Sequence, residues 1–162
     1  MKQKINLHTH STFSDGKNTA EEHVLSAIEK GFTVLGFSEH SLHPLDPDFY
    51  SAFDSNWHMI PENFPKYVAG IKALKEKYAD RIKLLIGFEA DYFYSPEIGL
   101  AAPDKKAYAE FSPDYLIGSV HFIVKDKGFF TVDHKPEIVK ENLIRFYSKA
   151  DGTIDGKAAV YV

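Results

Sequence analysis

The sequence predicts an α/β fold in which a parallel sheet is joined by helical crossovers, either a doubly wound sheet or a βα barrel. Three observations predict it. Short apolar, strand-like runs alternate with amphipathic, helix-like segments along the chain, which is the rhythm of βα units. Two of the runs, 32–38 and 82–88, are nearly unbroken in apolar residues, as expected for strands covered on both faces. Four runs finish on residues able to bind metal, at His8/His10, His40, Glu89 and His121. In both architectures the functional groups gather at the C-terminal ends of parallel strands.

The first run is Ile5-Asn6-Leu7-His8-Thr9-His10-Ser11. Alternate side chains of a strand share a face, so Asn6, His8 and His10 project together while Ile5, Leu7 and Thr9 face the other way. Two imidazoles aimed at one point suggest a metal site, since imidazole nitrogen ligates zinc, copper, iron and nickel. The competing reading is a chance pair on a strand edge, and the metal-capable residues at three further strand ends weigh against it. Residues 11–18 are turn formers, a strand-to-helix loop. Thr19 is the expected N-cap of a helix over 20–30, with Glu21 and Glu22 in its first turn, Gly31 as its stop, and Val24, Leu25, Ala27 and Ile28 as its apolar stripe. The second strand, 32–38, closes on Glu39-His40.

Residues 41–61 lack periodicity, are punctuated by Pro44, Pro47 and Pro61, and carry His43, Trp57 and His58. An irregular stretch of this length is more often functional than not, so it is expected to be a lid. Helical spacing returns over 62–79, with Phe64, Tyr67, Val68, Ile71, Leu74 and Tyr78 on one side and Lys66, Lys72, Lys75 and Lys77 forming a solvated face. The third strand, 82–88, ends on Glu89-Ala90-Asp91-Tyr92. A helix near 103–111 leads through Ser112-Pro113 to a fourth strand, 115–120, that ends on His121. Residues 122–132 predict a hairpin around Asp126-Lys127-Gly128, and 135–149 a last amphipathic helix. The final ten residues carry no clear signal.

A length of 162 residues suits one domain with a substantial core. Apolar residues at 44% and charged residues at 26% are those of an ordinary globular chain. A net charge of -4 offers no basic footprint for nucleic acid or anionic lipid. No apolar run is long enough to span a bilayer, and Met1-Lys2-Gln3-Lys4 leads directly into a strand instead of a signal-peptide core, so the cytoplasm is the expected compartment. Cysteine is absent, which excludes disulfides, thiolate zinc sites and a cysteine nucleophile and leaves His, Asp and Glu as ligands. Asp15, in its turn-rich loop, either caps the next helix or binds metal. Glu89 is costly to bury without a partner, which favours metal. His23 is expected to be solvated. His43 and His58 are either surface residues or substrate contacts, and Trp57 either packs or stacks on a substrate imidazole.

Taken together, His8-Thr9-His10-Ser11, Asp15, Ser38-Glu39-His40, Gly87-Phe88-Glu89-Ala90-Asp91-Tyr92 and Gly118-Ser119-Val120-His121-Phe122 resemble, in order and spacing, the motifs of the polymerase-and-histidinol-phosphatase (PHP) superfamily. The third and fourth motifs look most like those of monofunctional histidinol-phosphate phosphatases. The resemblance implies a distorted βα barrel with a metal cluster at its C-terminal mouth. It makes His8 and His10 ligands of a first ion, Glu89 a bridge to a second ion held also by His121, and Asp15 and His40 ligands of a third. Glu39 precedes a ligand without being one. The family's later motifs, a further histidine and an Asp-x-His, have no match, because Asp133 and His134 are adjacent. Four βα units make about half of a typical barrel, so residues 1–162 are expected to be a single PHP-type domain, incomplete at its C-terminus.

The implied activity is hydrolysis of a small phosphomonoester, histidinol phosphate in histidine biosynthesis. It would use two or three divalent ions (zinc, iron or manganese) and a metal-bridging hydroxide served by His8, His10, Glu89 and His121. His43 and Trp57 are the candidate substrate contacts. The alternatives are a phosphodiesterase or nuclease domain, which the acidic charge disfavours, and an incomplete metal-binding domain without catalysis.

Overall fold

The structure is a computed structural model and describes residues 3–42, 57–92, 105–125, 128–149, 151 and 153. Four strands, β1 (Ile5–Asn6), β2 (Val34–Ser41), β3 (Lys83–Asp91) and β4 (Tyr115–Ser119), pair in parallel in the order β1-β2-β3-β4. A doubly wound sheet reverses its strand order at a switch point. Here the order follows the sequence without reversal, so of the two predicted architectures the strands build half of a βα barrel.

Thr19 caps α1 (Ala20–Glu29) through a full capping box with Glu22, and Gly31, at φ +73°, ends the turn beyond it in the left-handed region. Leu25 of the predicted stripe is exposed, while Val24 and Ala27 are buried. A 3₁₀ turn at Pro61–Asn63 opens α2 (Phe64–Lys77), which buries Phe64, Tyr67, Val68 and Ile71 against the sheet. The helix expected near 103–111 is instead a 3₁₀ segment, Lys105–Phe111, that buries Tyr108. The aromatic core gathers on Phe88, whose ring meets those of Phe64, Tyr67, Tyr108 and Phe111 at 5.1–5.8 Å.

The opposite face of the sheet carries the Tyr115 ring. Tyr115 lies over β2 and β3 so closely that a Cβ on Gly36 or Gly87 would stand 2.4 Å from its side chain. Its hydroxyl, with one proton to donate, lies within hydrogen-bond distance of the carbonyls of Leu7 (2.7 Å) and Phe37 (2.9 Å), tying the exit of β1 to β2.

The lysines of α2 are more than a wet face, since Lys75 and Lys77 pair with Asp114 and Glu21. Asp114 Oδ2 accepts from the Ile86 N–H (2.8 Å) and Lys75 Nζ (2.9 Å). Partial burial pushes the Asp114 carboxyl up, but these donors outweigh it and hold it below the ordinary carboxylate value. A carboxyl lowered in the folded state stabilises above its unfolded value of about 3.9, and the contribution fades as pH falls through the lower native value. Asp114→Asn is therefore expected to lose about 1 kcal/mol in urea denaturation at neutral pH. The gap to the wild type should close at strongly acid pH.

The chain separates into two compact units, Met1–Asp91 with Pro103–Ser119, and Tyr92–Ala102 with Val120–Val162. The second holds the predicted hairpin, β5 (Phe122–Lys125) against β6 (Gly128–Thr131), followed by α3 (Pro136–Tyr147). Phe130 of β6 stacks on Phe146 of α3 at 5.4 Å. Among the described residues, no helix is long and apolar enough to cross a membrane.

Candidate metal centre

Regular β1 ends at Asn6, before the two histidines, so a continuous strand does not aim them. Side chains take over where a ladder would have run. The Asn6 side-chain Oδ1 accepts from His8 N–H (3.0 Å), and its Nδ2 donates to Thr9 Oγ1 (3.0 Å). Ser38 Oγ accepts from Thr9 N–H (3.2 Å), and Ser38 N–H donates to the Thr9 carbonyl (2.9 Å). The segment is thereby fixed beside β2 with both rings turned to β3, their centroids 5.0 Å apart.

On β2 and β3 the alternation of side chains holds. Gly36, Ser38 and His40 share one face, as do Gly87, Glu89 and Asp91, and it is the face that carries Tyr115. The register pairs His40 directly with Glu89. Three imidazoles therefore meet one carboxylate oxygen: Glu89 Oε2 is 3.0 Å from His8 Nε2, 2.9 Å from His10 Nε2 and 3.2 Å from His40 Nδ1. The other oxygen, Oε1, accepts from Ser119 Oγ (2.5 Å). Asp15 stands at the side, its Oδ1 3.0 Å from His10 Nδ1 and 3.9 Å from His40 Nε2. Glu89 is buried and Asp15 exposed.

This donor set fits divalent metal ions. A carboxylate oxygen offers about two lone pairs, too few to accept from three ring nitrogens at once. His10 Nε2 is buried and, though close to Glu89 Oε2, makes no hydrogen bond. A cation among these atoms would be bound by the nitrogen lone pairs instead. One ligand atom from each of His8, His10 and Glu89 lies within 4.8 Å of the others, and the same holds for His10, Asp15 and His40. Mixed imidazole and carboxylate donors suit zinc, iron or manganese. Burial alone would lower the His10 imidazolium, but the Glu89 and Asp15 carboxylates outweigh it and raise the group above its ordinary value.

The first unit thus brings together His8, His10, Asp15, His40 and Glu89. His121 belongs to the second unit, directly before β5, with its Nε2 3.5 Å from Asp133 Oδ2. His43 lies outside the described residues, as does most of the expected lid. Trp57 sets its ring edge-on to His40, centroids 4.9 Å apart, so it packs on a candidate ligand. His58 is not a surface residue: its side chain is fully buried and its Nε2 is 2.5 Å from Asp91 Oδ2. His23 also departs from expectation, since its Nε2 is buried. Asp91, Ser119 and Glu39 stand in the quoted motifs, but their contacts with His58, with Glu89 and with Ser11 and Ser14 were invisible to sequence patterning. Asp91 had one further signal, two positions beyond Glu89 and hence on the same face.

Comparison with known proteins agrees with this geometry. The chain is 30% identical over 147 residues to the "Probable histidinol-phosphatase" of Schizosaccharomyces pombe, matching 86% of this chain and 44% of that one. The solved hisK protein of Listeria monocytogenes superposes with a TM-score of 0.72 at 27% identity, over 92% of this chain and 56% of its own. The histidinol phosphate phosphatase of Lactococcus lactis, solved with zinc, L-histidinol and phosphate, shares the fold at 22% identity and a TM-score of 0.52, over 89% of this chain and 51% of its own. The chain therefore spans about half the length of the relatives it matches. The profile of the PHP domain matches residues 6–161, and with a four-stranded parallel sheet that carries the His, Asp and Glu cluster above, the chain belongs to the PHP domain family.

Proposed function

We propose that this chain is the metal-binding part of a phosphomonoester hydrolase whose substrate is histidinol phosphate. The observation that carries the proposal is the convergence of His8, His10 and His40 on Glu89, with Asp15 alongside, at the C-terminal ends of parallel strands. The substrate follows from the name of the matched S. pombe relative. Residues 1–162 are read as one PHP-type domain of incomplete barrel, working in the cytoplasm.

His8, His10 and Glu89 would hold one ion and Asp15 and His40 another, and His121 is retained from the sequence as a further candidate ligand. Two or three ions of zinc, iron or manganese would be bound. Such ions would lower the pKa of bound water to about 7 and would neutralise charge on the phosphate and the leaving oxygen. The chain's own residues set up that chemistry. Ser119 holds Glu89 by Oε1, which leaves Oε2 directed at the histidines. The Tyr115 hydroxyl, bonded to the Leu7 carbonyl, keeps the His8 segment against the sheet. Trp57, packed on His40, offers an aromatic wall to a substrate imidazole, and His43 is retained from the sequence as a second substrate contact.

Elemental analysis of the purified chain together with phosphate release from histidinol phosphate tests the proposal. Two or three bound ions, with release abolished by a chelator and restored by metal, are expected. A chain without bound metal overturns the site. Metal bound without release favours the second reading, a metal-binding domain that needs the remainder of a barrel, to which the half-length match to relatives points.

A further inference from the structure

Glu39 sits next to His40 in β2 but points to the other side of the strand. It is fully buried, yet its partners are N–H and hydroxyl groups of the loop that follows β1. The Ser11 N–H lies 3.0 Å from both carboxylate oxygens, Ser11 Oγ is 2.6 Å from Oε1, and Ser14 Oγ is 2.5 Å from Oε2. A buried carboxylate is expensive to desolvate, and short charge-assisted hydrogen bonds are what make its burial tolerable. An apolar side chain would fill the space without that cost. What the carboxylate gains is control of the loop.

The loop is also folded tightly on itself. The Ser11 carbonyl accepts from the N–H groups of Ser14 (3.1 Å) and Gly16 (2.9 Å), and a Cβ on Gly16 would stand 2.4 Å from the His10 carbonyl oxygen. Ser11 and Ser14, the two residues gripped by Glu39, directly follow His10 and directly precede Asp15. The carboxylate thus clamps both ends of the segment that presents His10 and Asp15 to His40.

We propose that Glu39 is a positioning residue for the metal centre: through Ser11 and Ser14 it sets the distance between Asp15 and the two histidines, His10 and His40, without itself ligating metal. This rests on reading those residues as ligands. Glu39 and His40 then act as a pair, one side chain facing the ions and the other holding the loop that completes their coordination.

Co²⁺ titration of the full chain, followed by the visible d–d spectrum, tests this independently of turnover. Wild type, Glu39→Gln, Glu39→Ala and Ser14→Ala are compared below their melting temperatures. Glu39→Gln keeps the shape and one acceptor and is expected to lower Co²⁺ affinity by about tenfold, Glu39→Ala by nearer a hundredfold, with weaker d–d bands. Ser14→Ala removes one clamp bond and should give a smaller loss in the same direction, which reads the effect even if Glu39→Ala does not fold. A purely structural role would lower the melting temperature of the metal-free chain while affinity and spectrum stayed those of the wild type, and that result overturns the inference. If the wild type itself takes up no Co²⁺, the metal reading fails and the inference falls with it, whereas tight wild-type binding matched by every variant removes the inference alone.

Discussion

Glu89→Gln is expected to strip the centre of metal, lowering affinity by at least about 100-fold and abolishing any phosphate release that the chain supports. Substitutions outside the ligand shell of metal sites already cost about 10–100-fold, so loss of a ligand charge lies at the upper end or beyond. The reason is local. Oε2 of this one side chain is within 3.2 Å of nitrogens from His8, His10 and His40, so it is the single negative charge on which all three imidazoles converge. The neutral amide keeps the shape and can still be reached by Ser119, so the fold should survive with nearly wild-type circular dichroism. Isothermal titration with Zn²⁺ alongside thermal melting separates the two effects. Wild-type zinc affinity in the folded variant would remove Glu89 from the ligand set.

Phe88→Ala is expected to cost about 3–5 kcal/mol of folding stability. Phe88 is fully buried, and four other rings pack around it, from α2 (Phe64, Tyr67) and the 3₁₀ segment (Tyr108, Phe111). Truncation would leave a cavity that these rings, fixed on separate elements, can fill only in part. Domains of this size are stable by about 5–15 kcal/mol, so the variant would lose a large share of its margin. Urea denaturation reads the loss as a lower midpoint. A change below about 1 kcal/mol would mean that the cluster is loosely packed. Because Phe88 precedes Glu89 in β3, weaker metal binding should accompany the loss of stability.

Much of the fold was legible in the sequence because it is encoded over short distances. Thr19 with Glu22 and Gly31 set the limits of α1, the apolar runs located β2, β3 and β4, and residues 122–131 formed the expected hairpin. The candidate site was legible for a related reason. His8, His10, His40 and Glu89 stand at or just beyond strand ends, where chain order alone places functional groups in a parallel α/β fold. The same local view misjudged side chains whose environment comes from elsewhere. His58 looked like a loop histidine and is buried on Asp91, and Lys75 looked solvated and pairs with Asp114.

By itself, then, the sequence determined the order of elements, their parallel arrangement and the family, and it nominated the candidate ligands, since each depends on periodicity or on residues close together in the chain. Only the tertiary structure decided how those parts meet. The register that sets His40 against Glu89, the Tyr115 ring lying over Gly36 and Gly87, and the grip of Glu39 on Ser11 and Ser14 join residues far apart in sequence. His8 and Glu89, 81 positions apart, come within 3.0 Å only after β2 has paired with both its neighbours. Periodicity specifies which face a side chain takes along its own strand, whereas its partner across the sheet is chosen by the packing of the whole unit.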